Sequence, residues 1–113
     1  MHEIGLLQHM VEVALDRAAL AGARRVQHIT LRIGDESGVV PEVIAFAFDV
    51  ATRGTIAEGA ELEIEEVRLA CFCAACGLEF EPEDALHECP QCHQIGAEVR
   101  RGHEFELASL DVS

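Results

Sequence analysis

The sequence contains no tryptophan and no tyrosine, and its only aromatic residues are five phenylalanines. An interior without large aromatics must be aliphatic, assembled from Leu, Ile, Val and Ala. Basic residues are scarce, with eight Lys and Arg against 21 Asp and Glu and a formal net charge of −13. A surface of that sign repels phosphates, so nucleic acid is not the expected partner. The acidic residues form no long block and read as an ordinary solvated surface. No apolar run is long enough to cross a membrane, and the first residues lack the basic and apolar regions of a signal peptide. The expectation is therefore a cytoplasmic protein with no membrane partner. Also missing are a nucleophile with a positioned base, a glycine-rich phosphate loop and a dinucleotide fingerprint, so no enzyme is expected. Glu3, Glu12 and Asp16 belong to the polar face of a helix, where carboxylates are routine.

What is present is a set of five cysteines in a chain of 113 residues, half of them hydrophobic, which amounts to one small core. Four of the five form two knuckles, Cys73-Ala-Ala-Cys76 and Cys89-Pro-Gln-Cys92. The two-residue gap lets both thiolates of a knuckle reach one ion while the intervening amides point back at the sulfurs. Two knuckles complete a tetrahedral four-sulfur site of the zinc-ribbon type. In a reducing compartment such pairs read as metal ligands before disulfides. Gly77 supplies the chain reversal after the first knuckle, and Pro90 stiffens the second. Four soft sulfurs suit zinc or iron. Cys71 is the spare, read as a small half-buried apolar group on a strand. His93, directly after Cys92, reads as an exposed residue or one that orients a thiolate. His9, His28, His87 and His103 have no metal-ligand spacing and read as surface residues.

In chain order, Ile4, Leu7, Val11, Leu15 and Ala18 predict an amphipathic helix over residues 3 to 21, ended by Gly22. Gln27, Ile29, Leu31 and Ile33 then alternate with His28, Thr30 and Arg32, as in a strand with one buried face. Residues 34 to 38 read as a turn. A second helix begins at Pro41 and ends near Arg53, with a broad apolar face of Val43, Ile44, Ala47, Phe48, Val50 and Ala51 to be buried against a sheet. Residues 61 to 69 and 103 to 112 read as strands whose apolar phase flips midway, from Leu62 and Ile64 to Val67 and Leu69, and from Phe105 and Leu107 to Leu110 and Val112. A single antiparallel register satisfies both, with Leu62 opposite Val112 and Leu69 opposite Phe105, and a bulge or twist near Glu65, Glu66, Ala108 and Ser109. The expected fold is α+β: a small mixed three-stranded sheet packed with two helices, plus a zinc-ribbon module carried on an antiparallel strand pair. The expected domains are residues 1–66 with 106–113, and residues 67–105, joined only by those strands.

The chain opens Met1-His2-Glu3. A free amine, an imidazole on the second residue and the amides between them can form fused chelate rings around one ion. Nickel(II) and copper(II) favour such nitrogen donors. His2 is large, so Met1 is expected to stay on the chain and keep the histidine second. A cation at a helix start opposes the dipole, and deprotonated amides or Glu3 must offset that.

Taken with the strand ending Ile33-Gly34, Gly38-Val39-Val40-Pro41-Glu42, Arg53-Gly54-Thr55, Glu58-Gly59-Ala60-Glu61-Leu62 and Cys89-Pro90-Gln91-Cys92-His93, this opening resembles the HypA/HybF family of hydrogenase maturation factors. The resemblance runs over nearly the whole chain in the right order. It implies a nickel metallochaperone that works with a maturation GTPase to deliver Ni(II) into the large subunit of nickel-iron hydrogenase, as a monomer or weak homodimer. It also implies His2 as the nickel ligand, helped by the Met1 amine and Glu3, and Cys73, Cys76, Cys89 and Cys92 as ligands of a structural Zn(II). Two other readings fit the cysteines: a rubredoxin-like iron electron carrier, and a zinc-ribbon interaction module without nickel.

Overall fold

The apolar stripe of the first twenty residues forms one helix, α1 (His2–Leu20), whose Leu7, Met10, Val11, Ala14 and Ala18 are buried at spacings of three and four. The computed structural model describes residues 2–113, with side chains from Glu3 onward. Gly22, at φ 69°, ends α1 in a left-handed turn, and the Gly22 and Ala23 N–H groups return to the carbonyls of Ala19 and Ala18. Strand β1 (Val26–Gly34) follows. Helix α2 (Pro41–Thr52) starts on its proline, which needs no amide partner, and Val40 before it is extended, as a residue preceding proline prefers.

Two sheets divide the remaining strands. In the first, β1 is central, with β2 (Glu61–Val67) parallel on one side and β6 (Phe105–Val112) antiparallel on the other. Ile29, Leu31 and Ile33 of β1 pack with α1, α2 and Leu62, Ile64, Phe105, Leu107 and Leu110 in one aliphatic core. The opposite face of this sheet is polar. Arg32 lies there between Glu106 (2.8 Å) and Glu65 (3.3 Å), and His28 between Glu63 and Asp111, both at 3.5 Å. The second sheet has the order β4 (Leu78–Phe80), β3 (Ala70–Cys73), β5 (Glu98–Arg101), all antiparallel. Placed end to end, the two sheets give extents of 54 × 27 × 17 Å and a radius of gyration of 17.4 Å. A single compact domain of this length would have about 13 Å.

The expected pairing of Leu62 with Val112 does not occur. Leu62 pairs with Ile29 and Val112 with Val26, so β2 and β6 run antiparallel but lie on opposite flanks of β1. Their apolar patterns match because both line the same core, and a matching pattern does not distinguish adjacent strands from strands flanking a third. The phase flip in β6 is a bulge: Thr30 pairs with Ser109 and Leu31 with Leu107, leaving Ala108 as the extra residue. That places Phe105, Leu107 and Leu110 all toward the core. β2 has no bulge, because its register with β1 is unbroken from Glu61 to Val67 and Leu69 lies beyond the strand. A second irregularity lies in β1 at Gln27, which is exposed, and Val26 takes the buried position expected of it. Helix α2 also departs from expectation. Ile44, Phe48 and Thr52 are buried, but Val50 is 64% exposed and Phe46 89% exposed. The helix packs chiefly on α1 and on the edge strand β2, which leaves Phe46 and Val50 exposed among the described residues.

Nor are the two sheets joined only by strands. The turn after β1 grips both connecting segments: the Asp35 N–H donates to the Val67 carbonyl (2.9 Å), Glu36 N–H to Gly102 (2.7 Å) and Gly34 N–H to Glu104 (2.7 Å). The Leu69 N–H in turn donates to the Asp35 carboxylate at 3.1 Å.

Candidate metal centre

Each cysteine knuckle is a chain reversal that local hydrogen bonding closes. The Gly77 N–H donates to the Cys73 carbonyl (2.8 Å), and the His93 N–H donates to the Cys89 carbonyl (2.9 Å). Gly77 and His93, each directly after the second cysteine of its knuckle, both have φ 64°. The two knuckles thus share one backbone form, which glycine adopts freely and histidine only at a cost of about 1 kcal/mol. The Cys89 N–H donates to the Gln94 carbonyl (2.9 Å), tying the second knuckle to the segment that leads into β5.

This folding brings the sulfurs of Cys73, Cys76, Cys89 and Cys92 within 4.8 Å of one another. Cys73 and Cys89 are buried, Cys76 is half-buried and Cys92 exposed. The Sγ atoms of Cys73 and Cys92 stand 3.6 Å apart. The N–H groups of Cys92 and Gln91 point at the Cys89 sulfur and hold its pKa down at about 7. Cys76 moves the other way, to about 12, because its thiol is held by Cys92 and by the other two sulfurs in a half-buried place. Four thiolates this close repel one another, and a divalent cation held by them would offset that repulsion. Four soft donors from two knuckles leave no open position for substrate, so the set fits a closed structural site for zinc or iron. Cys71 is fully buried in β3, and burial pushes its thiol pKa up. It is outside the four-sulfur group. His93 is 70% exposed in its side chain and binds the Glu88 carboxylate at 2.7 Å.

The nitrogen-rich site expected at Met1-His2-Glu3 falls at the start of α1. Met1 and the side chain of His2 lie outside the described residues. Glu3 is half-buried in the first turn.

Sequence reasoning missed one contact near the cysteines. Glu36, in the turn after β1, accepts from His87 Nε2 at 2.9 Å and from His103 Nε2 at 3.3 Å. His87 is half-buried in the cysteine-bearing half, two residues before Cys89, and has φ 54°. No local spacing signals this contact, because the three residues meet only through the tertiary fold. Hydrogen bonding to His87, then to His103, holds the Glu36 pKa below its ordinary 4.5. A carboxylate so lowered adds stability that is fully present above pH 4.5 and is lost as pH falls through the lowered value. Glu36→Ala should therefore unfold at lower urea than the parent at pH 7, and the gap between the two midpoints should close below pH 4.5. A gap that persists unchanged in acid would assign the effect to packing instead.

Comparison with known proteins is consistent across sequence and fold. Residues 1–112 match the family model described as hydrogenase/urease nickel incorporation, metallochaperone, hypA. A hydrogenase maturation factor HypA from a Picosynechococcus species is 42% identical over 112 residues, covering 99% of both chains. Its counterpart from a Roseiflexus species is 44% identical over 112 residues, covering 98% of this chain and 91% of the relative. The solution structure of the nickel metallochaperone HypA from Helicobacter pylori superposes with a TM-score of 0.70 at 20% identity, over 97% of this chain and 96% of that one. A full-length match to the family model, with relatives above 40% identity over nearly their whole length, makes this chain a member of the HypA family of hydrogenase maturation factors.

Proposed function

We propose that this chain carries nickel: it binds Ni(II) at its N-terminus through His2, the Met1 amine and Glu3, and delivers the ion for maturation of nickel-iron hydrogenase. The observation that carries this reading is the match of residues 1–112 to a family described by nickel incorporation. Residues 1–66 with 106–113 form the nickel-binding domain in this reading. Residues 67–105 form the zinc domain, with Zn(II) held by Cys73, Cys76, Cys89 and Cys92 to fix the surface that partners meet. Those partners are a maturation GTPase and the hydrogenase large subunit. The chain acts in the cytoplasm as a carrier, not a catalyst.

The chemistry of a helix start supports the nickel site. The first amides of α1 have no intrahelical acceptor, so an ion can replace the proton on one of them without breaking a helical hydrogen bond. The Glu3 carboxylate offsets the positive end of the dipole. An imidazole and an amine must both be unprotonated to bind, so the site weakens as pH falls through the histidine range. A site at a chain terminus also lets the ligands of an acceptor replace those of the donor one at a time.

Nickel titration of untagged, zinc-loaded protein beside its His2→Ala variant tests this, read by calorimetry and absorption with both metals counted. The parent should take up one Ni(II) and the variant should lose that uptake, with zinc unchanged at one per chain. Equal nickel binding by both proteins, or by neither, would remove His2 from the site and leave a zinc-ribbon interaction module.

A further inference from the structure

A groove of about 210 Å³ opens between the first cysteine knuckle and the segment that leads into β5. Ala74, Ala75, Ile95 and Ala97 line it, with Phe72 and Glu98 at one end. Ile95 is 64% exposed, and the Gly96 N–H, donating to the Leu86 carbonyl at 2.8 Å, sets Leu86 beside the groove, itself 57% exposed. A small-molecule site takes about 300–1,000 Å³, so this space suits one aliphatic side chain of a larger partner. The surroundings are negative. Residues 67–105 carry Arg68, Arg100 and Arg101 against seven Asp and Glu. Cys73, another lining residue, belongs to the four-sulfur cluster, and four thiolates around one divalent ion keep two negative charges. Arg100 is already engaged, by Glu98 at 3.0 Å and by the ring of Phe72 at 4.2 Å. An exposed pair of this kind is weak, and it leaves Glu98 open to a partner's cation.

We propose that this groove binds an extended basic segment of a partner protein, seating one aliphatic side chain between Ala74, Ala75, Ile95 and Ala97 while flanking lysine or arginine groups meet Glu98 and the anionic cluster. The inference rests on the reading of zinc as the ion that fixes the surface partners meet, and it needs no nickel. Both walls are held by the knuckles. Ala74 and Ala75 lie between Cys73 and Cys76, and the Cys89 N–H ties the opposite wall through the Gln94 carbonyl at 2.9 Å. The ion that joins the knuckles therefore sets the width of the groove. Apolar burial supplies the affinity, and the negative charge rejects segments whose anchor is flanked by carboxylates.

Amide NMR of untagged, zinc-loaded, nickel-free protein tests this, with a capped nonapeptide of glycine and serine bearing Lys-Leu-Lys at its centre as the probe. The amides of Ala74, Ala75, Ile95 and Ala97 should shift and saturate together, with a dissociation constant below about 1 mM. Exchanging the peptide's leucine for serine should weaken binding about tenfold or more, the factor that one buried aliphatic side chain carries. Exchanging its lysines for glutamates should abolish binding. In the protein, Ile95→Ser should weaken it about fivefold and Glu98→Lys about threefold. Both side chains are exposed, so circular dichroism and zinc content should match the parent. A parent that holds one zinc per chain yet shifts none of these amides would overturn the proposal and leave the structural zinc standing, whereas a parent without zinc would overturn both. Equal binding of the serine or the glutamate peptide would also overturn it. So would shifts at the same amides that grow with protein concentration and need no peptide, which would give the groove to a second copy of the chain.

Discussion

Replacing Cys89 by alanine should strip the metal from the four-cysteine site and unfold residues 70–101, while the first sheet and its helices stay folded. Cys89 is fully buried, and the backbone amides of Cys92 and Gln91 favour its thiolate. The second sheet has three strands of three or four residues and little apolar mass of its own. Binding of a structural zinc is worth roughly 10 to 16 kcal/mol, more than so small a sheet can supply from burial. The aliphatic core around Leu7, Ile29, Leu31 and Ile44 contains no residue of the segment 70–101 and should survive the loss. Metal analysis should fall from one zinc per chain to none. Amide NMR should show collapsed dispersion for residues 70–101 beside retained signals for Leu31 and Ile44. A variant that kept both its metal and its dispersed spectrum would refute the structural role. Colour decides between zinc and iron in the parent, since an iron–sulfur site is red and a zinc site colourless.

Gly34→Ala should be the most damaging single change away from the cysteines. A Cβ there would lie 2.2 Å from both the carbonyl carbon and the oxygen of Gly102 and 2.7 Å from the His103 nitrogen. All three are backbone atoms, held by the hydrogen bonds of the turn after β1, and they cannot yield as a side chain does. Gly102 is equally constrained: at φ 120° it lies against Leu69, and a Cβ on it would come 2.8 Å from the Leu69 Cα. Relieving the clash would part the segments that join the two halves, at a cost of about 3 kcal/mol or more. Urea unfolding in excess zinc measures it. Gly5→Ala is the matching control, because nothing lies within 4 Å of a Cβ there. In the exposed face of α1 it should stabilise by about 0.5–1 kcal/mol, as alanine does over glycine in a helix. An unchanged midpoint for Gly34→Ala would mean that the junction gives way without cost.

Elements with a period or a fixed spacing were legible in the sequence. The stripe of α1, the proline start of α2 and the strand at residues 29–33 each depend on neighbours within a few residues. The cysteine cluster was equally legible, because the Cys-x-x-Cys geometry is set within one turn of chain and only one arrangement of two knuckles closes around an ion. Even the bulge at Ala108 left a mark, since an extra residue in a strand must reverse its apolar phase. The proposed nickel site rests on chemistry alone, an amine, an imidazole and a carboxylate in the first three residues of the sequence.

Pairing was a different matter. The apolar pattern of residues 61–69 fits residues 103–112 as well as it fits β1, because each lines the same core, and only the packed sheet places β1 between them. The same limit hid the exposure of Phe46 and Val50. A helical stripe shows which residues share a side, but whether that side is covered depends on what the rest of the chain can bring to it. The meeting of Glu36 with His87 and His103, and the contact of Gly34 with Gly102, join residues more than fifty positions apart. By itself, then, the sequence determined the local elements and the four-sulfur cluster, both of which rest on short-range geometry. Strand order, the junction between the two halves and the uncovered face of α2 were decided by the tertiary structure, because they depend on which distant surfaces exclude water together.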